Sequence, residues 1–216
     1  MVGASGVLGG AIANELVRRG AAVIGSASSI ESMQRIPDGV EGKIVANLLD
    51  AQSLEAAVGQ LLGGPTIDGL VLAAGRVGFG LATQTSAADA GSLMHINYSA
   101  QTWMASALLP KLAANGEFCI AAITGVIAEK PFPGMSAYSA SKSALSSWLQ
   151  VLRLEVRRQG GLVVEVRPGH TETGLATRAL FGSAPVMPVG IGPDHVASKV
   201  VDAIEAGQPL LTAVDF

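Results

Sequence analysis

The sequence predicts an α/β protein built as three layers, with a doubly wound, mostly parallel sheet covered by helices on both faces. Short apolar runs alternate with stretches of helical periodicity about 10–20 residues long, the pattern of a parallel sheet with helical crossovers. The alternation continues through all 216 residues without a linker, an internal repeat or a composition break. Glycine-bearing turns and isolated polar side chains fall at the carboxyl ends of the predicted strands, where open sheets of this kind bind ligands.

Each element has a local reason. GAIANELVRR places Ile12, Leu16 and Val17 on one side of a helix and stops at Gly20, a C-terminal signal. AAVIGS is a short strand, and KIVANLL is the next. Asp50 then caps the helix of SLEAAVGQLL. IDGLVLAAG is a strand running into a glycine turn. RVGFGLATQTSAAD reads as a polar, mobile stretch. A long helical region covers residues 91–114 and ends at Asn115-Gly116. EFCIAAIT is a strand, and residues 136–159 are again helical. GLVVEVRPG is a strand broken by Pro168-Gly169. Residues 170–192 form a long Gly- and Pro-rich loop with a short helix. PDHVASKVVDAIEAG is the last helix and PLLTAV the last strand.

Composition excludes several classes. Hydrophobic residues make up 49% and charged residues only 14%, so much of the surface is buried, a subunit interface included. The net charge is −3 without a long basic run, so nucleic acid is not an expected partner. With one cysteine, Cys119, no internal disulfide forms and a reducing compartment is expected. No apolar run approaches about 18 residues and no basic-then-apolar leader is present, so neither a membrane span nor a secretory signal is expected. A cytoplasmic chain follows as the expectation. His95, His170 and His195 do not cluster with other ligating side chains, and no metal site is expected.

The opening MVGASGVLGG sets Gly3, Gly6 and Gly9 at even spacing before a helix. Glycines let the backbone approach a ligand closely, and the helix start aims free N–H groups and a positive dipole end at the loop. A pyrophosphate suits such a cradle; an ordinary glycine turn is the alternative. After the second predicted strand stand Ser26, Ser28 and Ser29, with no acid before Glu31 and no base before Arg35. A carboxylate there would bond a ribose 2′-hydroxyl and repel a 2′-phosphate. Its absence, with serines able to donate, favours NADP over NAD. In AYSASKSAL, Tyr138 and Lys142 lie four apart and project from one helix face. A free tyrosine titrates near 10, and an adjacent ammonium lowers that value, making the phenol a usable general acid/base.

Taken in order, the glycine loop, the Ala73-Ala74-Gly75 turn, Asn97 in a long helix, Tyr138-x-x-x-Lys142 and Pro168-Gly169 resemble the short-chain dehydrogenase/reductase family over essentially the whole chain. The resemblance implies a single Rossmann-type, NAD(P)-binding domain over residues 1–216, with 170–192 as a substrate-side loop. It implies hydride transfer between NADP or NAD and a small-molecule carbonyl or alcohol, in a homodimer or homotetramer. Tyr138 matches the catalytic tyrosine, Lys142 the lysine that holds the nicotinamide ribose, and Asn97 the asparagine of the proton relay. The implied cofactor contacts are Gly3, Ser5, Gly6, Val7, Leu8 and Gly9 in the loop, Ser26 and Ser28, Asn47 and Leu48, and Ala74 and Gly75. Tyr138, Lys142, Pro168, Gly169, Thr171 and Thr173 complete the set.

Two departures stand out. The family serine thirteen residues before the tyrosine is replaced by Gly125, and adjacent Thr124 is expected to supply the hydroxyl. The family also implies a strand of about five residues before Gly3, where only Met1 and Val2 stand. The first strand is therefore expected to be truncated, with a gap of about 10 Å in the sheet. These departures leave a second function open: a non-catalytic dinucleotide-binding sensor on the same fold.

Overall fold

A computed structural model describes residues 1–216. Six strands and seven α-helices alternate along the chain: α1 (Val7–Arg18), β1 (Ile24–Ala27), α2 (Ile30–Met33), β2 (Gly42–Val45), α3 (Ala51–Gly63), β3 (Gly69–Leu72), α4 (Ala87–Met94), α5 (Ala100–Ala113), β4 (Phe118–Ile123), α6 (Ser136–Val156), β5 (Gly161–Val166), α7 (Pro193–Ala206) and β6 (Leu210–Leu211). Every strand pairing is parallel: β1 with β2, and β3-β4-β5-β6 in that order.

Met1 and Val2 join these two parts. Val2 N donates to Val71 O at 2.7 Å, and Ala73 N donates to Val2 O at 3.0 Å. On the other side Met1 N donates to Ile24 O at 2.8 Å, and Ser26 N to Met1 O at 2.9 Å. Successive residues of an extended chain present their backbone groups to opposite neighbours. Two residues therefore suffice to pair with both sides, and the expected 10 Å gap is closed at the carboxyl end, where the glycine loop begins. Val2, 3% exposed, packs into the main core.

The strands are rich in Val, Ile, Leu and Ala because helices cover both faces. Leu72, Ile120 and Val163 point to the side of α3, α5 and α6, where Met104, Leu108, Leu145 and Leu149 are fully buried. Val71, Ala121, Val164 and Val166 point to the other side, against Ile12 of α1 and Val196 and Val200 of α7. Caps delimit the helices as expected. Asp50 accepts from Gln52 N and Ser53 N at the start of α3, and Gly207 at φ 67° ends α7.

Two expectations are corrected. The long helix expected over 91–114 starts earlier, at Ala87 behind the Ser86 cap, and is broken by a π-helical turn over His95–Ser99. Such turns insert one residue into a helix and recur at functional sites. The stretch after Gly75 is ordered by non-local partners. Val77 and Phe79 are 3% and 7% exposed, and Phe79 N donates to Phe181 O while Leu180 N donates to Val77 O. Gly80 N donates to Gly134 O on the opposite side. Three lengths of loop, around 77–80, 132–135 and 180–181, are thus stitched side by side.

Candidate active site

The glycine loop is shaped for close approach. Gly3 has φ 83°, a conformation that favours glycine, and a Cβ there would lie 2.8 Å from Ala74 Cα. A Cβ on Gly9 would collide with Gly3 O. Gly6, the N-cap of α1, offers no side-chain cap. The first-turn amides around Val7, Leu8 and Gly9 are therefore left for an anion. This cradle fits the pyrophosphate of a dinucleotide. Val7 is exposed beside it, whereas Leu8 packs on the α7 side.

Around it the expected contacts divide. Ser26 is buried, and its Oγ accepts from Gly3 N at 3.2 Å, so it braces the loop. Ser28 is exposed. Ser29 caps α2 by accepting from Ser32 N. Asn47 Oδ1 accepts from Leu49 N at 3.1 Å in the turn after β2, and the Leu48 side chain is buried. Thr171 Oγ1 donates to Gly169 O at 3.1 Å, and Thr173 Oγ1 accepts from Leu175 N at 3.3 Å. A residue the sequence left unassigned also reaches the loop. Arg35, exposed, donates from Nε to Ser5 O at 3.4 Å and has no carboxylate partner among the ion pairs. Its only sequence signal was being the first base after β1.

Lys142 and Asn97 converge at the carboxyl ends of β4 and β3, with Tyr138 one turn before Lys142 on α6. Lys142, 4% exposed, donates from Nζ to Ile123 O at 2.8 Å. Asn97, fully buried in the π-turn, accepts at Oδ1 from Arg76 N and donates from Nδ2 to Arg76 O, both at 2.9 Å. The same Nδ2 donates to Ser141 Oγ at 2.9 Å, and Ser141 Oγ donates to Tyr138 O at 2.8 Å. Gly75 sits between them: a Cβ there would lie 3.3 Å from Lys142 Nζ and 3.4 Å from Asn97 Oδ1. The turn written Ala-Ala-Gly thus leaves room for the lysine head.

The electrostatics correct one expectation. Burial pushes the Tyr138 phenol up to about 12 rather than down, and it pushes Lys142 down to about 8. The ammonium is anchored on the Ile123 carbonyl and does not offset the desolvation of the phenol.

Thr124 does not take the place of the family serine. It is 1% exposed, and its Oγ1 donates to Glu165 Oε1 at 3.0 Å and lies 3.3 Å from Val166 O. Its hydroxyl is engaged in the core beside β5. The glycine at 125 has its own cause: φ is 86°, a region that penalises any side chain. The conformation of this turn and the loss of the serine go together.

A surface concavity of about 510 Å³ lies at the opposite end of the sheet by Asp68, Glu117 and Arg157. It is open, and burial pushes its Cys119 thiol up to about 12, far from a reactive thiolate. No helix is long and apolar enough to cross a membrane.

Known proteins similar to this chain are found both by sequence and by fold. The short chain dehydrogenase family model matches residues 1–180. The chain is 30% identical to glycine betaine reductase ATRR of Emericella nidulans over 94% of its own length, but spans only 17% of that protein. It is 26% identical to the dehydrogenase/reductase SDR family protein 7-like of Drosophila melanogaster, covering all of this chain and 72% of that one. Among solved structures, a short-chain dehydrogenase from Sphingobium yanoikuyae in complex with NADPH superposes with a TM-score of 0.90 at 26% identity, covering 98% of this chain and 85% of that one. With its parallel sheet, glycine cradle and Tyr138–Lys142 pair, this chain belongs to the short chain dehydrogenase family of NAD(P)-dependent oxidoreductases.

Proposed function

We propose that this chain reduces a small-molecule carbonyl, or oxidises the corresponding alcohol, with Tyr138 as the proton-transferring group. One observation carries the proposal: Tyr138 and Lys142 stand one turn apart on α6, the Lys142 head and Asn97 both border Gly75, and Ser141 links Asn97 to the Tyr138 carbonyl. The nicotinamide supplies the hydride chemistry when bound. Tyr138 holds its proton well past neutrality, which suits it to protonate the oxygen of a carbonyl being reduced. The reverse direction needs the phenolate and is disfavoured by the same burial. Lys142 offers three N–H donors, of which Ile123 O takes one. The remaining two are suited to ribose hydroxyls. Asn97 and Ser141 fix the first turn of α6 through the Tyr138 carbonyl. The loop residues Leu180 and Phe181 close the substrate side, and their apolar character suits a moderately hydrophobic substrate. We further propose one domain over 1–216, a cytoplasmic location, and a homodimer or homotetramer. The oligomer is supported by the exposed Trp103, Val151 and Leu154 on α5 and α6.

NADP is the proposed preferred cofactor over NAD. Arg35 supports this more directly than the serines, since its guanidinium stands unpaired beside Ser5. The NADPH bound by the Sphingobium yanoikuyae protein points the same way. The test is fluorescence titration with NADPH and NADH. In Arg35→Gln, NADPH affinity is expected to fall about 10- to 100-fold, the worth of a charge-assisted phosphate contact, with NADH unchanged. Equal loss for both cofactors would remove Arg35 as the discriminating residue.

Binding should also depend on pH. Below about pH 8 Lys142 is an ammonium, the form that donates; above it the charge is lost. NADPH affinity is therefore expected to decline as pH rises through 8–9. Calorimetry in buffers of different ionisation heat should show proton uptake in that range, and Lys142→Met should abolish the uptake.

A further inference from the structure

Glu165 is an anomaly: a carboxylate 1% exposed near the carboxyl end of β5, among valines. Arg167, two residues on and so on the same face of the strand, clasps it in a fork, Nε to Oε1 at 2.8 Å and Nη2 to Oε2 at 3.1 Å. The remaining bonds of both side chains leave β5 in different directions. Thr124 Oγ1, just past the end of β4, donates to Glu165 Oε1 at 3.0 Å. Arg167 Nη1 donates to Glu129 Oε2 at 2.9 Å, at the far end of the turn that begins with Gly125. Arg167 Nη2 reaches Ser146 Oγ of α6 at 3.2 Å, one helical turn beyond Lys142.

The backbone around this network joins the same segments. Thr124 N and Gly125 N both donate to Val166 O, at 2.9 and 3.1 Å, and Val126 N donates to Pro168 O at 2.9 Å. Pro168 and Gly169 follow Arg167 directly. Lys142 is held by Ile123 O, the residue before Thr124. A buried ion pair adds little to stability compared with well-packed apolar residues. What this one does is register the turn after β4, the Pro168–Gly169 turn and α6 against one another.

We propose that Arg167 with Glu165 is a positioning pair for the reaction, holding the two turns that floor the site at a fixed depth relative to the helix that carries Tyr138 and Lys142. The pair touches neither Tyr138 nor the glycine cradle; it acts through the segments it ties. The proposal rests on the reductase assignment above.

The test is the double variant Glu165→Leu/Arg167→Met in the full chain, which removes both buried charges; Glu129, 37% exposed, exchanges its bond to Arg167 for water. The Thr124 hydroxyl keeps Val166 O as its acceptor. Three properties are measured: the thermal midpoint, the emission of bound NADPH, and kcat and KM on whichever aldehyde or ketone of a small panel the wild type reduces. The expected result is a retained midpoint, altered nicotinamide emission, and kcat lowered about 10- to 100-fold, the cost of a misplacement near 1 Å. Affinity for adenosine 2′,5′-bisphosphate, which probes only the far end of the cofactor site, should be unchanged. Wild-type emission and kcat in the double variant would overturn the proposal, whatever the midpoint does. If the double variant does not fold, Arg167→Lys carries the test, since an ammonium keeps the charge but cannot make the fork. Lowered kcat at unchanged KM supports the proposal, and wild-type kcat overturns it. A wild-type chain that binds no NADPH overturns the reductase assignment and this proposal together; binding and turnover beside an unaltered variant overturn this proposal alone.

Discussion

Tyr138→Phe is expected to lower turnover about 10²- to 10⁴-fold, the range for a lost general acid, with NADPH affinity unchanged. The substitution removes one oxygen and keeps the ring. No hydrogen bond of the fold uses the phenol oxygen, because Ser141 bonds the Tyr138 backbone carbonyl instead. Loss of rate therefore reports proton transfer rather than structure. Stability should hold or rise slightly, since a half-buried hydroxyl is exchanged for apolar edge. Steady-state kinetics beside cofactor titration make the measurement. Turnover that survived the loss of the hydroxyl would remove Tyr138 from the mechanism. A wild-type chain that bound cofactor and reduced nothing would instead fit the sensor.

Gly9→Ala should produce the second large effect. Its Cβ would occupy the place of Gly3 O, and both partners are main chain, so no side-chain rotation relieves the contact. The start of α1 must move away from the loop. The expected cost is about 1–3 kcal/mol of unfolding free energy, together with loss of measurable NADPH binding, because the first-turn amides no longer converge on the pyrophosphate. Gly59→Ala in α3 is the internal control. A Cβ there meets nothing within 4 Å, and the change should stabilise by about 0.5–1 kcal/mol through helix propensity. Denaturant unfolding of the two variants should move in opposite directions; movement of Gly9→Ala with the control would show that the loop has slack.

The elements most legible from sequence were those set by local periodicity. The strand–helix alternation, the Asp50 cap and the Gly20 stop all reappear at their expected places, because burial on two faces and cap chemistry act over a few residues. The Tyr138–Lys142 spacing survived for the same reason. What escaped was decided by partners far along the chain. Thr124 and Gly125 differ by one position, and only the hydrogen bond to Glu165 and the positive φ settle which way the turn faces. The π-turn has no residue signature of its own, and Asn97 is legible only through its resemblance. The segment 77–80 reads as a polar loop until Phe181 is placed on Gly78, where the ring leaves no space for a side chain. Arg35 is an ordinary surface arginine until α2 brings it over Ser5. The two opening residues looked too few to make a strand, yet each serves a different neighbour.

The three lengths of loop around 77–80, 132–135 and 180–181 are sewn together by main-chain bonds: Leu180 N to Val77 O, Phe79 N to Phe181 O, and Gly80 N to Gly134 O. Amides and carbonyls are common to nearly every residue, so these bonds do not depend on which exposed side chains hang from the loops; Gly78 under the Phe181 ring is an exception. Leu81 and Phe132, both exposed at these loops, can be exchanged without cutting a thread. Exposed side chains on these loops can thus change while the main-chain weave that holds them stays constant. A library confined to those two positions should keep the thermal midpoint of the parent chain.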